Sequence, residues 1–372
     1  MAKFTDIFED VTKQGTKIST NLYLETGMYP IIDQGQSQVA GYTNETEGLF
    51  TDIPAIIFGD HTRIIKYVDT PCFLGADGVK LLKAKDPTAN YKYLYYALCN
   101  ADIPNTGYNR HFKWLKEIEI AECSTEEQNS IVAQFEKIDT LICLRKQQLS
   151  KLDELVKSRF IELFGDPVIN PKKYLVKSLQ ELIDMGYITY HLDGNHGGDY
   201  PRSEEFVDSG VPYIGANSIV NGEIDFSMAK FLTVERAGKL RKGIAQNDDV
   251  LFAHNATVGP TVVLKTTEPK VILSTSLTAY RCNQSKLLPN YLKVYMQSDG
   301  FVRQYSGEMK QTTRNQVPIT AQKKYLFLVP PIVEQEQFAA FVEQTDKSKL
   351  AIQKSLEKFE TLKKALMQKF WG

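Results

Sequence analysis

The stretch EQNSIVAQFEKIDTLICLRKQQLSKLDELVKSRFIELFG, residues 127–165, returns in altered form as EQEQFAAFVEQTDKSKLAIQKSLEKFETLKKALMQKFWG, residues 334–372. Aligned without a gap, Glu127-Gln128 meets Glu334-Gln335, Asp139 meets Asp346, Leu149 meets Leu356, Leu155 meets Leu362, and Phe164-Gly165 meets Trp371-Gly372. The offset is 334 minus 127, or 207 residues. A repeat of that length divides the chain into two halves, each a globular region followed by one long helix.

The repeated segment has the spacing of a coiled coil. Ile131, Phe135, Ile138, Ile142, Leu149, Leu152, Val156 and Leu163 fall on steps of three and four, the seam along which helices supercoil, with Arg145 and Arg159 interrupting it. In the second copy Phe338, Val342, Ile352, Leu356, Phe359, Leu366 and Phe370 keep the seam, while Thr345, Lys349 and Lys363 occupy places where apolar residues are expected. Imperfect seams suit a partner with matching imperfections, so pairing within the chain is expected. The alternative, two unrelated helices each packing on its own domain, leaves the ungapped match to coincidence.

Start signals agree. Ser124 and Thr125 precede Glu126, Glu127 and Gln128, a hydroxyl cap with an acid three residues on, and the acids suit the positive end of the helix dipole. The first helix is expected to run to Gly165. The second opens at Ile332-Val333-Glu334 behind Pro330 and Pro331.

With 372 residues, 42% hydrophobic and 24% charged, the chain is an ordinary soluble protein of two or three domains. No apolar run approaches a membrane span and the N-terminus lacks a signal-peptide core, so a cytoplasmic location is expected. Cys72, Cys99, Cys123, Cys143 and Cys282 are odd in number and lack CxxC spacing, which predicts reduced, mostly buried thiols and no metal. The net charge of −1 offers no global attraction to phosphates. Basic residues nevertheless cluster at His61-Thr62-Arg63 with Lys66, at Asn109-Arg110-His111 with Lys113 and Lys116, at residues 239–242 and at residues 310–324, so each half carries its own patches.

The globular regions read as mixed and strand-rich, an α+β chain overall. Strands are predicted over residues 29–32, 53–58, 63–68 and 79–82, then 211–214, 249–252, 261–264 and 276–282. Tyr29-Pro30-Ile31-Ile32 is similar to Val211-Pro212-Tyr213-Ile214, Ala55-Ile56-Ile57-Phe58 to Asp249-Val250-Leu251-Phe252, and Tyr93-Leu94 to Tyr291-Leu292. Two divergent domains of one plan are therefore expected.

These features resemble the specificity subunit of a type I restriction-modification system. The resemblance spans the chain. It rests on Glu127-Gln128, on Val329-Pro330-Pro331-Ile332-Val333-Glu334-Gln335, and on Gly210-Val211-Pro212-Tyr213-Ile214 with Asn217, Gly222, Asp248-Asp249-Val250-Leu251-Phe252 and Thr257-Val258-Gly259. One departure is Glu122-Cys123-Ser124 before the first helix, where the second has Val329-Pro330-Pro331. The resemblance implies target-recognition domains over residues 1–120 and 166–328. It also implies helices over 124–165 and 330–372 that pair as an intramolecular antiparallel coiled coil with pseudo-two-fold symmetry.

By the same resemblance the chain is non-catalytic and reads double-stranded DNA for two methyltransferase subunits and, in the restricting form, two restriction subunits. Adenosylmethionine, ATP and magnesium then belong to those partners. Each domain would read half of a bipartite asymmetric site. Roughly 40 helical residues at about 1.5 Å each span about 60 Å, close to two duplex turns of about 34 Å, so helix length would fix the spacer.

Base edges are read by Arg, Asn and Gln, with small residues against the thymine methyl. The polar candidates in the first domain are Gln34, Gln36, Gln38 and Tyr42, then His61 and Arg63, and Asn109 with Arg110. In the second they are Asn217 and Asn221, then His254, Asn255 and Thr257, and Gln311, Thr312, Thr313, Arg314 and Asn315.

No Walker loop, dinucleotide fingerprint, zinc-protease helix or nucleophile elbow occurs, and Asp166-Pro167-Val168-Ile169 does not supply a methyltransferase's Asn-Pro-Pro-type tetrapeptide. His191 and His196, flanking Leu-Asp-Gly-Asn, read as a turn-rich linker before they read as a metal loop. Two rival readings stay open: a coiled-coil scaffold that binds protein without DNA specificity, and a phage-type mimic of the specificity subunit.

Overall fold

The structure, a computed structural model, describes residues 1–75, 77–309 and 315–372. It divides into two compact units, one formed by residues 1–147 with 353–372 and the other by residues 148–352.

In the first unit the apolar run Ala55–Gly59 is buried along its whole length as the interior strand of a four-stranded antiparallel sheet. Val79–Ala84 and Ile65–Val68 flank it, and Phe8–Asp10 forms the outer edge. A second sheet joins Tyr29–Ile32 antiparallel to Gly41–Thr43 and parallel to Phe73–Leu74. The helix Tyr91–Cys99, capped by Asn90, covers the first sheet with Tyr93, Leu94, Ala97 and Leu98.

The second unit repeats this plan with additions. Val250–Ala253 is the fully buried strand, between Leu277–Cys282 and Thr261–Val263, with Ile188–Asp193 at the far edge. Val211–Ile214 pairs antiparallel with Lys230–Leu232 and parallel with Val271–Leu273, and two short outer strands enlarge that sheet to five. Pro289–Met296 is the covering helix.

Strand edges depart from expectation for local reasons. The first buried strand starts at Ala55 rather than residue 53, because Pro54 has no N–H for the ladder. Its partner starts at Ile65 rather than residue 63, because Arg63 turns with φ 62°. In the second unit the strand starts at Val250, since Asp249 bends its carboxylate back to the Gln246 amide at 2.9 Å.

Thr125–Phe164 and Ile332–Trp371 are unbroken helices of 40 residues each. Ser124 and Glu127 form the expected reciprocal cap, at 3.0 and 3.3 Å. Gly165 ends the first helix with φ 78°, its amide bonding to the Ile161 carbonyl.

The two helices run antiparallel within each unit. In the first, Phe135 lies 6.2 Å from Phe370 and 5.4 Å from Trp371, while Asp139 bonds Lys363 at 2.5 Å. In the second, Phe338 lies 5.5 Å from both Phe160 and Phe164, while Asp153 bonds Lys349 at 2.5 Å. The two lysines that spoil the seam in sequence thus each meet an aspartate of the central helix, and Thr345 turns its hydroxyl to the Phe341 carbonyl. Ile131, Phe135, Ile138, Val156, Phe338 and Val342 are buried. Ile142, Leu149, Leu152, Ile352, Leu356 and Phe359 are half-buried, and the repeated pair Leu155 and Leu362 is exposed.

Cys72 and Cys282 are buried, but Cys99 and Cys143 are exposed, which corrects the expectation of mostly buried thiols. No helix among the described residues is long and apolar enough to cross a membrane.

Candidate nucleic-acid interface

Three loops converge at one edge of the first unit. The turn after Ala55–Gly59 closes through Gly59 N–H on the Ile64 carbonyl at 2.8 Å and Arg63 N–H on the Gly59 carbonyl at 2.7 Å. A side chain at Gly59 would lie 2.2 Å from the Thr62 hydroxyl, so glycine lets the loops approach. Gln34, from the loop after Tyr29–Ile32, joins two of them. Its Oε1 accepts from His61 N–H at 3.2 Å, its carbonyl from Thr62 Oγ1 at 2.7 Å, and its Nε2 donates to the Asp77 carbonyl at 3.0 Å. The third loop, residues 105–111, is tied by His111 N–H on the Asp60 carbonyl and by Phe112 N–H on Asp60 Oδ1 at 2.8 Å.

Lys66 anchors the loop after Tyr29–Ile32. Its buried ammonium donates to the Ser37 carbonyl and lies 3.4 Å from Asp33 Oδ1. Burial pushes its pKa down, opposed by the Asp33 charge. A buried lysine so committed is a clamp rather than a phosphate contact.

The predicted residues of this unit fall into two groups. Gln34, Gln38 and Asn109 spend their amide donors inside the protein, Gln38 on the Tyr67 carbonyl at 2.8 Å and Asn109 on the Thr106 carbonyl at 2.6 Å. Arg63 donates to the Ile103 carbonyl at 3.0 Å, and Tyr42 is half-buried, paired through its backbone with Leu24. Gln36 and Arg110 are exposed. His61 stacks on Tyr108, ring centroids 4.6 Å apart and planes 8° from parallel.

The second unit assembles the equivalent loops with different chemistry. Ala216 N–H, after Val211–Ile214, bonds Ser276 Oγ at 2.8 Å, and the Ser276 carbonyl receives His254 N–H at 3.0 Å. Ala256 N–H bonds the Asn315 carbonyl, and Asn255 bridges to Gln316, so the turn at 254–260 is tied to the segment before the short helix Ile319–Gln322. Asn217, Thr257 and Asn315 are exposed and Asn255 is half-buried. Asn221, with φ 52°, and Gly222, with φ 81°, make the two-residue turn of a small hairpin at the surface.

His254 corrects a prediction: it is 1% exposed, with Nδ1 against the Val317 carbonyl at 3.1 Å, so it supports its loop from inside. His191 is likewise interior, facing Gln322 Oε1 at 3.1 Å, and desolvation lowers its pKa to about 4. His196 pairs with Asp193 at 2.7 Å, and among the described residues no group of three potential ligands could hold a metal. Gln311, Thr312, Thr313 and Arg314 lie outside the described residues.

Sequence reading missed the supports Asp33, Asp60 and Gln322, whose types are ordinary on surfaces, and counted Lys66 in a basic surface cluster although it is buried. It also passed over Tyr108. An aromatic between Gly107 and Asn109, inside a polar turn-forming run, is poorly placed for a core, and that was the available signal.

The sequence profile of the family described as "Type I restriction modification DNA specificity domain" matches residues 1–154 and again residues 171–361. The specificity subunit of the Escherichia coli type I restriction enzyme EcoR124I/EcoR124II is 33% identical over 94 residues, 24% of this chain and 23% of that protein, so the matched segment spans about a quarter of that relative. The crystal structure of the type I restriction-modification S subunit from M. genitalium is similar over 100% of this chain and 95% of its own, with 17% identity and a TM-score of 0.58. A second structure, from work on complex assembly and conformational transition of the type I R-M system, covers the same shares at 16% identity and 0.52. At those identities the likeness is one of fold. The two profile matches together take in both units and most of both helices: the chain belongs to the type I restriction-modification DNA specificity family.

Proposed function

We propose that this chain is the non-catalytic DNA specificity subunit of a type I restriction-modification enzyme, working in the cytoplasm. The observation that carries this reading is the repeated three-loop cluster. Each unit gathers the loop after its parallel-paired strand, the turn after its most buried strand and the segment before a short helix, and fixes them by hydrogen bonds. Rigid supports with exposed Asn, Gln and Arg at the tips suit the reading of base edges in a groove. Since the two clusters share a plan but are built from different residues, they would read different half-sites of a bipartite sequence.

In this reading the helices set the spacer and dock two methyltransferase subunits, with restriction subunits in the full complex. Adenosylmethionine, ATP and magnesium act in those partners. With a net charge of −1 the isolated chain would bind duplex DNA weakly at physiological salt.

The test is a genome-wide map of methylated adenines in cells expressing the chain with the methyltransferase encoded beside it, before and after residues 170–325 are exchanged for those of another family member. A bipartite motif that changes in one half only supports the reading. No motif, or one untouched by the exchange, refutes it in favour of a scaffold or a mimic.

A further inference from the structure

Tyr108 is 86% exposed, the most exposed large apolar side chain among the described residues. Such a ring in contact with water gains nothing for the fold, yet the surrounding structure holds it in place. His61 lies flat against it at 4.6 Å, and His61 is itself fixed by Gln34 through its backbone and by the Asn109 carbonyl at 3.2 Å through Nδ1. Gly107, with φ 78° and open space on the side where a Cβ would stand, turns the loop tip into solvent. Asn105 accepts from Gly107 N–H at 3.2 Å and Asn109 donates back to Thr106, so the loop is braced from within. Arg110, two residues further along the same loop, is also exposed.

We propose that the Tyr108 ring, backed by His61, is a base-contacting plate that sets specificity at one position of the first half-site. The outer face of Tyr108 would pack on an apolar base feature, the thymine methyl being the natural partner, while Arg110 engages a neighbouring phosphate or guanine edge. A ring already stacked on one side loses little freedom on binding, and its free face is the surface that DNA would cover.

This inference rests on the DNA-reading function proposed above. The experiment maps methylated adenines for the wild-type chain, Tyr108→Ala and Tyr108→Phe, each co-expressed with the methyltransferase subunits. Tyr108→Ala is expected to relax one position of the first half-site, raising methylation at sites with another base there by about tenfold. Tyr108→Phe, which keeps the ring, should preserve the motif. A wild-type motif unchanged by Tyr108→Ala overturns the plate alone, as does a uniform loss of methylation without relaxation at any position. A wild-type map with no bipartite motif overturns the DNA-reading function and the plate with it.

Discussion

Tyr93 of the first unit and Tyr291 of the second do the same work in different surroundings. Each sits on the covering helix, each donates its hydroxyl to a carbonyl just ahead of a long helix, Ala121 at 2.7 Å and Leu328 at 2.9 Å, and each meets the aromatic that closes a helix copy, Trp371 at 5.4 Å and Phe164 at 4.8 Å. Gln128 and Gln335 also agree, each reaching back to the carbonyl five residues earlier, at 3.2 and 2.9 Å. The loop edges show the opposite: Gln34 with His61 and Tyr108 in one unit, Ser274 with Ser276 and Asn315 in the other. The units therefore agree where a domain meets its helices and diverge where the loops face outward. That is the pattern of one frame carrying two texts.

The strongest way to break the comparison is through the helix anchors. Phe135 and Phe338 are fully buried, one in each unit, and replacing either by Ala should cost about 3–5 kcal/mol, read as a lowered denaturant midpoint. A cost in one unit exceeding the other by more than about 2 kcal/mol would show that the shared frame is not energetically shared.

A smaller effect should separate the units by pH. His191 titrates near 4 because burial disfavours its charged form, with the nearby Lys323 and His254 adding to the shift and Gln322 and Asp193 opposing it. Below its ordinary value of about 6.5 the unfolded chain takes up a proton that the folded second unit refuses, so stability falls as pH drops from about 6.5 to about 4, by about 3 kcal/mol. Urea midpoints measured at steps across that window should show the slope, and His191→Gln should flatten it. A slope that survives the substitution would place its origin elsewhere.

The finest probe is the tyrosine pair itself. Tyr93→Phe and Tyr291→Phe each delete one hydroxyl and leave a carbonyl without its donor, a cost of about 1–2 kcal/mol apiece by thermal or chemical denaturation. Equal losses sharpen the comparison. A loss at Tyr291 alone would mean that water substitutes at Ala121 but not in the deeper interior around Leu328.

Much of the frame was legible because it is written in apolar periodicity. The seam residues, the buried strands around Ile56 and Leu251, and the likeness of Tyr93-Leu94 to Tyr291-Leu292 are short-range patterns that burial enforces. The seam's lysines were legible only as irregularities, since their acids lie about two hundred residues away in sequence. The loop residues were the least legible. Gln34, Asn109 and His254 have the side chains that read bases and also those that brace turns, and only their partners distinguish the two uses. Tyr108 was hidden for the converse reason, an apolar residue where only polar ones were sought.

The first unit is discontinuous in the chain, taking residues 353–372 across an intervening unit that ends at residue 352, and Leu366, Phe370 and Trp371 pack on its core. On the ribosome this reverses the usual order, in which the N-terminal domain folds first. The second unit can complete itself as it emerges, while the first waits with Phe135 and Tyr93 incompletely covered. Synthesis of the intervening residues 148–352 takes about 10–40 s at about 5–20 residues per second. During that interval the nascent first unit carries an open apolar slot shaped for its own distant helix, and a chaperone or a neighbouring nascent chain can reach it first.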